Sequence, residues 1–422
     1  MTAPQEVFEN HTLVVRDGRI LDLLPSVDAA LRYAPTVLLD RPDHLLLPGL
    51  VNAQTRIGPN AAPSPGSWQP GDAALLCIAE MLRAGTTCFS DMGYFPEESA
   101  RTAGAQGMRV LIGIPIAETP SAWAKTADEY LTRALAFRDE YRGHPSIGTA
   151  FAPHAAATLS DATFGRIATL ANELDAGIVV ALHQSRTEID ESLARHGLRP
   201  LERMQALGLL TPALTAVHMT HVNAEDIALA QRSGVAVTFC AGSNLRAGFG
   251  PPPVASWVRT GLRLGMGTGI EGWGMSLDLW SELKLLAWLS RTGDTNGTAL
   301  SAWEALAVAT RGGAAALGLE SEIGTLETGK WADLCCVELR NPAMLRTSAA
   351  PTLHDAALRG RYAPSSAAAT ALVFNGGRDL VSDVWVSGRH LLNGGAFTRL
   401  DWPDLAARVS AKPTPTTTGV NP

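Results

Sequence analysis

A chain of 422 residues, 46% of them hydrophobic, exceeds one small domain and has ample apolar material for a large core. A formal charge of −7 and a pI near 5.8 argue against nucleic acid or an anionic membrane surface as partner. No run of 18 apolar residues occurs, and the opening MTAPQEVFENHTLVV lacks the basic start and apolar centre of a signal peptide, so a cytoplasmic protein is expected.

The first predicted element is a hairpin, HTLVVRDGRILDLLP from His11, which alternates apolar and polar residues around Asp17-Gly18. LLLPGLVN from Leu45 then opens a series of eight strand candidates. The others are TTCFSDM (from Thr86), GMRVLIGIP (Gly107), IGTAFAP (Ile147), GIVVALH (Gly177), ALTAVHM (Ala213), GVAVTF (Gly234) and GLRLGMGT (Gly261). Helical patterns such as DATFGRIATLANELDA from Asp161 and AEDIALAQRS from Ala224 fall between them. Further on, IGTLETGKWADLCCVEL from Ile323 reads as a strand pair joined by Thr328-Gly329. DVWVSGRHLLNGGAF from Asp383 reads as a hairpin around Ser387-Gly388.

Strict strand–helix alternation predicts an α/β protein with a (β/α)₈ TIM-type barrel over residues 47–322. The strands at both chain ends, residues 1–46 and 323–405, are expected to share one small β-sandwich domain. Residues 406–422, ending in AKPTPTTTGVNP, are expected to form a disordered tail.

Five cysteines without CxxC spacing (Cys77, Cys88, Cys240, Cys335, Cys336) read as buried thiols. Cys240 stands apart because it ends a strand beside a Gly-Ser-Asn turn, where a nucleophile would need a nearby base or cation. Barrel enzymes build their sites at the C-terminal strand ends. That rule selects Gln54, Arg56, Asp91, His154, His183, Arg186, His218, His221, Cys240, Gly269 and Glu271.

The motifs PGLVNAQT, AGTTCFSDMGYFPE, APHAAAT, LHQSRTE, VHMTHVNAEDIALAQRSG, FCAGSNL, GTGIEGWGMSLDLWSEL and IGTLETGKWADL follow one another along nearly the whole chain. In this order they resemble the amidohydrolase superfamily, most closely its aminohydrolase/chlorohydrolase branch of atrazine chlorohydrolase and the guanine and S-adenosylhomocysteine deaminases. The resemblance implies a water activated by one divalent metal, held by two strand-one histidines, one histidine each from strands five and six, and a strand-eight aspartate.

Here the chain departs from the pattern. Gln54 and Arg56 replace the strand-one histidines and Gly269 replaces the aspartate, while His183 and His218 remain. The proton-shuttling glutamate of the family aligns with Arg186, and the histidine after strand seven with Phe239. A catalytic zinc needs about three protein ligands. Setting a cation beside two guanidinium groups costs several kcal/mol even at an effective dielectric of ~20. The expectation is therefore a site with no metal and no cofactor.

The remaining groups suggest acid–base chemistry by His183, His218 and Glu271, with Glu188 a second candidate base. Arg56 and Arg186 would clamp an anionic or electron-rich group of the substrate, helped by His154, Gln54, His221 and Trp273. The expected function is a metal-independent enzyme on the amidohydrolase frame, acting on a small polar, nitrogen-containing metabolite by C–N hydrolysis, elimination or cyclisation. Two alternatives stay open: a pseudoenzyme that binds an active paralogue, and a deaminase with a relocated metal. Association into a homo-oligomer is a further expectation of the resemblance.

Overall fold

The computed structural model of the protein describes residues 7–57, 69–154, 156–157, 159–270, 276–292, 300–342, 344–345 and 366–411. Strands β1 (His11–Arg16) and β2 (Arg19–Pro25) form the first hairpin. Its turn residues Asp17 and Gly18 both have positive φ, the backbone that a two-residue hairpin turn requires. Gly18 is also needed sterically, because a Cβ there would lie 2.6 Å from the Ser387 carbonyl oxygen.

The expected single strand at Leu45 is in fact two. β3 (His44–Pro48) belongs to the terminal β unit and β4 (Leu50–Arg56) to the barrel. Gly49 is the crossing point: its N–H donates to Asp333 O at 2.9 Å, and a Cβ would lie 2.1 Å from the Thr87 hydroxyl oxygen. Close backbone approach of this kind admits only glycine.

The barrel continues through β5 (Thr86–Asp91), β6 (Arg109–Ile116), β7 (Ile147–Pro153), β8 (Gly177–Leu182), β9 (Leu214–His218) and β10 (Ala236–Phe239). The eighth strand is split into β11 (Arg263–Met266), paired with β10, and β12 (Gly269–Ile270), paired with β4, and so closes the sheet. All these pairings are parallel. Asn52 fastens the closure by donating to Thr268 Oγ1 at 2.9 Å and accepting from Thr268 N–H at 3.1 Å.

Large apolar side chains fill the layer between strands and outer helices, among them Phe89, Ile112, Val180, Met81, Phe164 and Ile167. Smaller ones (Ala150, Ala152, Val179, Val217) fill the barrel interior beside Met92 and Cys240. A barrel of eight strands has room for little more.

The second sheet runs in the order β16 (Ala396–Phe397), β15 (Arg389–Asn393), β14 (Val381–Val386), β13 (Leu334–Glu338), β3, all antiparallel. Ile20 of the β1–β2 hairpin packs with Leu326, Ala332 and Leu334, which joins the hairpin to this sheet. The strand pair expected at Ile323 reduces to β13 alone. The arm before Gly329 is not a strand; the turn that follows it meets β2, with Ile20 N–H donating to Lys330 O and Gly329 N–H to Ile20 O, both at 2.8 Å.

The tail expected from residue 406 begins inside a helix, Trp402–Ser410. Leu405 and Val409, one helical turn apart, are buried against Ala79 and Leu400, and this burial outweighs the local composition. Residues 412–422 lie outside the described residues. Among the described residues, no helix is long and apolar enough to cross a membrane.

Candidate functional site

The strand ends that the sequence singled out are also where the backbone departs from ordinary geometry. His183 (φ 54°), His218 (φ 76°) and Met219 (φ 50°) all lie in the left-handed region, costing about 1–3 kcal/mol each. Hydrogen bonds hold them there, from Met219 N–H to Leu182 O at 3.0 Å and from His221 N–H to His183 O at 2.9 Å.

Arg56, at the tip of β4, organises one cluster. Its Nε donates to Met92 O at 3.2 Å, one terminal nitrogen lies 3.4 Å from His154 Nε2, and the guanidinium stands 5.5 Å from the centre of the Tyr94 ring. Tyr94 in turn stacks on His154, with centroids 4.7 Å apart and an interplanar angle of 25°, and its Oη lies 3.4 Å from His154 Nδ1. Burial pushes His154 down to about 4, with the Arg56 charge adding to the effect. Burial likewise takes His218 to about 4; Arg56 again adds, while Asn244 beside it opposes. Both imidazoles are therefore neutral at neutral pH. Desolvation lowers Arg56 itself, opposed by Tyr94 and Asp91.

Several buried polar atoms in this region lack a hydrogen-bond partner within the described protein: Gln54 Oε1, His218 Nδ1 and Asn244 Oδ1. Groups of this kind are normally completed by water or a ligand. Asp91 holds the backbone that leaves β4. Its Oδ1 accepts the Ile57 N–H at 2.8 Å, and burial raises its carboxyl to about 6 against opposition from Ser99, backbone N–H groups and Arg56.

His183 belongs to a second cluster. Its Nε2 accepts from Leu201 N–H at 3.1 Å, and its Nδ1 faces His221 O at 3.4 Å and Asp226 at 3.8 Å. Arg199 bridges the same atoms, donating to Asp226 at 2.7 Å and to His221 O at 3.0 Å. Burial lowers His183 to about 4, and Asp226 opposes. With both ring nitrogens engaged by protein, His183 braces the loops around β8, and the geometry gives no support to its expected catalytic role.

Arg186 likewise does not join Arg56. It is the first residue of the helix Arg186–His196 and is exposed. Glu188, in the first turn of that helix, is spent on the preceding loop, accepting from His183 N–H at 3.0 Å and Gln184 N–H at 2.7 Å; burial raises it to about 7. His221 is half-buried and lowered by burial and then by Arg186. Glu271 and Trp273 lie outside the described residues.

The metal implied by the resemblance can be tested against the donors present. Among the described residues, no three His, Cys, Asp or Glu side chains converge. At the strand-eight position, Gly269 has φ +79°, and a Cβ there would lie 2.6 Å from Ser243 Cβ and 2.8 Å from its Oγ. Phe239 is fully buried, packed 5.9 Å from Trp257. The described donor set does not fit a mononuclear centre of three protein ligands and a water.

Cys240 is fully buried, and burial raises its thiol well above the ordinary value, the state of an inert thiol rather than a nucleophile. Sequence reasoning missed Glu282, 3% exposed on the helix Leu279–Leu289. It accepts from Gly242 N–H at 3.0 Å and so holds the turn that carries Ser243; burial raises it to about 7. The signal was a lone acid within the apolar run LWSELKLLAWL.

A parallel eight-stranded barrel with its polar cluster at the strand ends and a split terminal β unit defines a hydrolase of the amidohydrolase type. The amidohydrolase family model matches residues 45–391, and the chain belongs to that family. Across 96% of its length it is 34% identical to the 5-methylthioadenosine/S-adenosylhomocysteine deaminase of Teredinibacter turnerae (93% of that protein) and 32% identical to that of Saccharophagus degradans (92%). A zinc-bound adenosine deaminase structure from Xanthomonas campestris superposes with a TM-score of 0.87 at 35% identity, over 97% of this chain and 95% of that one. The atrazine chlorohydrolase of Arthrobacter aurescens, at 20% identity and TM-score 0.82 over 96% and 95%, shares the fold.

Proposed function

We propose that this amidohydrolase is a deaminase for a small nitrogen-containing substrate of nucleoside type, and that it works without the bound metal of its relatives. In hydrolytic deamination, water adds to the amino-bearing carbon and ammonia leaves. Arg56 supplies the positive charge over the reacting group and favours an anionic or electron-rich substrate. Neutral His218, buried beside Asn244, is the proton acceptor, and Glu271 is the second proton carrier. His154 and Gln54 contact the substrate.

The observation that carries the metal-free reading is the closed strand-eight position, where Ser243 fills the space a ligating side chain on Gly269 would need. The kinship to methylthioadenosine and adenosine deaminases supports the substrate class. The test is ammonia release from 5′-methylthioadenosine, S-adenosylhomocysteine and adenosine, before and after chelation, with metal analysis of the purified protein. Turnover that survives chelation in metal-free protein is expected; stoichiometric zinc or iron whose removal abolishes turnover would sink the metal-free reading.

The engagement of both His183 nitrogens favours one second reading, a protein that binds such a ligand without turning it over. That reading predicts saturable binding of one of the three compounds and no ammonia.

A further inference from the structure

The Arg56–His154–Tyr94 contacts have a direction. Guanidinium carries only donors, so the 3.4 Å contact between Arg56 and His154 Nε2 requires that nitrogen to accept. A neutral imidazole holds one hydrogen, which then sits on Nδ1 and faces Tyr94 Oη at 3.4 Å. A nitrogen that carries its hydrogen offers no lone pair to the phenol. The phenolic hydrogen is therefore not spent on His154.

We propose that Tyr94, which the sequence did not single out, is a substrate-binding residue whose O–H donates to a ring nitrogen or carbonyl oxygen of the ligand. The Arg56 guanidinium, 5.5 Å from the Tyr94 ring centre, and the stacked His154 hold the phenol in place, which leaves its O–H for a ligand. Tyr94 is partly exposed three residues past β5, and its stacking on His154 fixes the ring plane. No proton changes owner. The ligand role rests on the nucleoside reading above, whereas the tautomer does not.

The experiment has two arms. Nitrogen-15 NMR of histidine-labelled wild-type protein reads the His154 tautomer; assignment comes from the signal lost in His154→Asn. Hydrogen on Nδ1 is expected, and hydrogen on Nε2 overturns the proposal outright. In the second arm, calorimetry compares 5′-methylthioadenosine binding to wild type and Tyr94→Phe, which keeps the stacked ring and removes only the hydroxyl. Binding about ten-fold weaker, with the thermal midpoint unchanged, is expected. Equal affinity in the two proteins overturns the role of Tyr94 while leaving the nucleoside reading intact. Absence of binding by wild type to all three nucleosides named above, with hydrogen on Nδ1, instead removes the nucleoside reading and the ligand role together.

Discussion

Gly269 and Ser243 approach so closely that a single added carbon on Gly269 would fall 2.6 Å from Ser243 Cβ. The relationship ties the strand-eight tip to the helix Ala241–Arg246, which in turn is held by Glu282. Replacing Gly269 with Asp forces both a positive-φ penalty of about 1–3 kcal/mol and a steric shift. Gly269→Asp should therefore unfold at lower denaturant, and Ser243→Gly added to it should recover part of the loss. Full stability of the single variant would show that the contact yields freely.

Restoring strand-one histidines alone should not restore a metal site. Gln54→His with Arg56→His adds two imidazoles, but His183 stays committed to Leu201 and His221, and strand eight stays closed. Zinc titration of the double variant should give weak, sub-stoichiometric binding; tight one-to-one binding would contradict this.

Glu282 should make stability fall as pH rises. Its folded pKa of about 7 lies above the unfolded value near 4.3, so between these values the folded state holds the extra proton. The stabilising contribution is complete below about pH 4.3 and disappears as pH climbs through about 7, at up to about 1.4 kcal/mol per pH unit. Glu282→Gln retains an acceptor for Gly242 and lacks this slope. Denaturation at pH 5.5 and pH 8 should show the variant gaining on wild type at the higher pH.

His183 and Arg186, both expected at the site, should behave oppositely. His183→Ala leaves the Leu201 N–H without its acceptor in a buried place and should cost about 1–3 kcal/mol. Arg186→Ala, on an exposed helix start, should fall within about 0.5 kcal/mol of wild type. Equal urea midpoints for the two variants would refute the distinction.

Arg109 and Asp333 join the barrel to the terminal sheet: Nε donates to Oδ2 at 2.7 Å, both side chains are almost fully buried, and Ser387 N–H donates to the same carboxylate. Arg109→Met alone should cost about 3–5 kcal/mol, because it strands a buried carboxylate. Adding Asp333→Leu should recover much of this in thermal melts.

What the sequence determined by itself was the frame. Strand–helix alternation and ordered motifs suffice for a barrel, because parallel strands flanked by helices leave a periodic trace and turns such as Asp17-Gly18 have a fixed chemistry. The change of side chains at Gln54, Arg56 and Gly269 was equally legible, since identity needs no coordinates. Which of the chosen residues meet was decided only in the tertiary structure. Arg56 reaches Tyr94 past the neighbouring strand β5 and His154 past β7, whereas His183 turns to Leu201 and Arg186 to solvent. Pattern reports that a residue lies at a strand end; the direction of its side chain depends on a left-handed backbone and on hydrogen bonds to groups distant in sequence, and neither leaves a mark in the order of the letters.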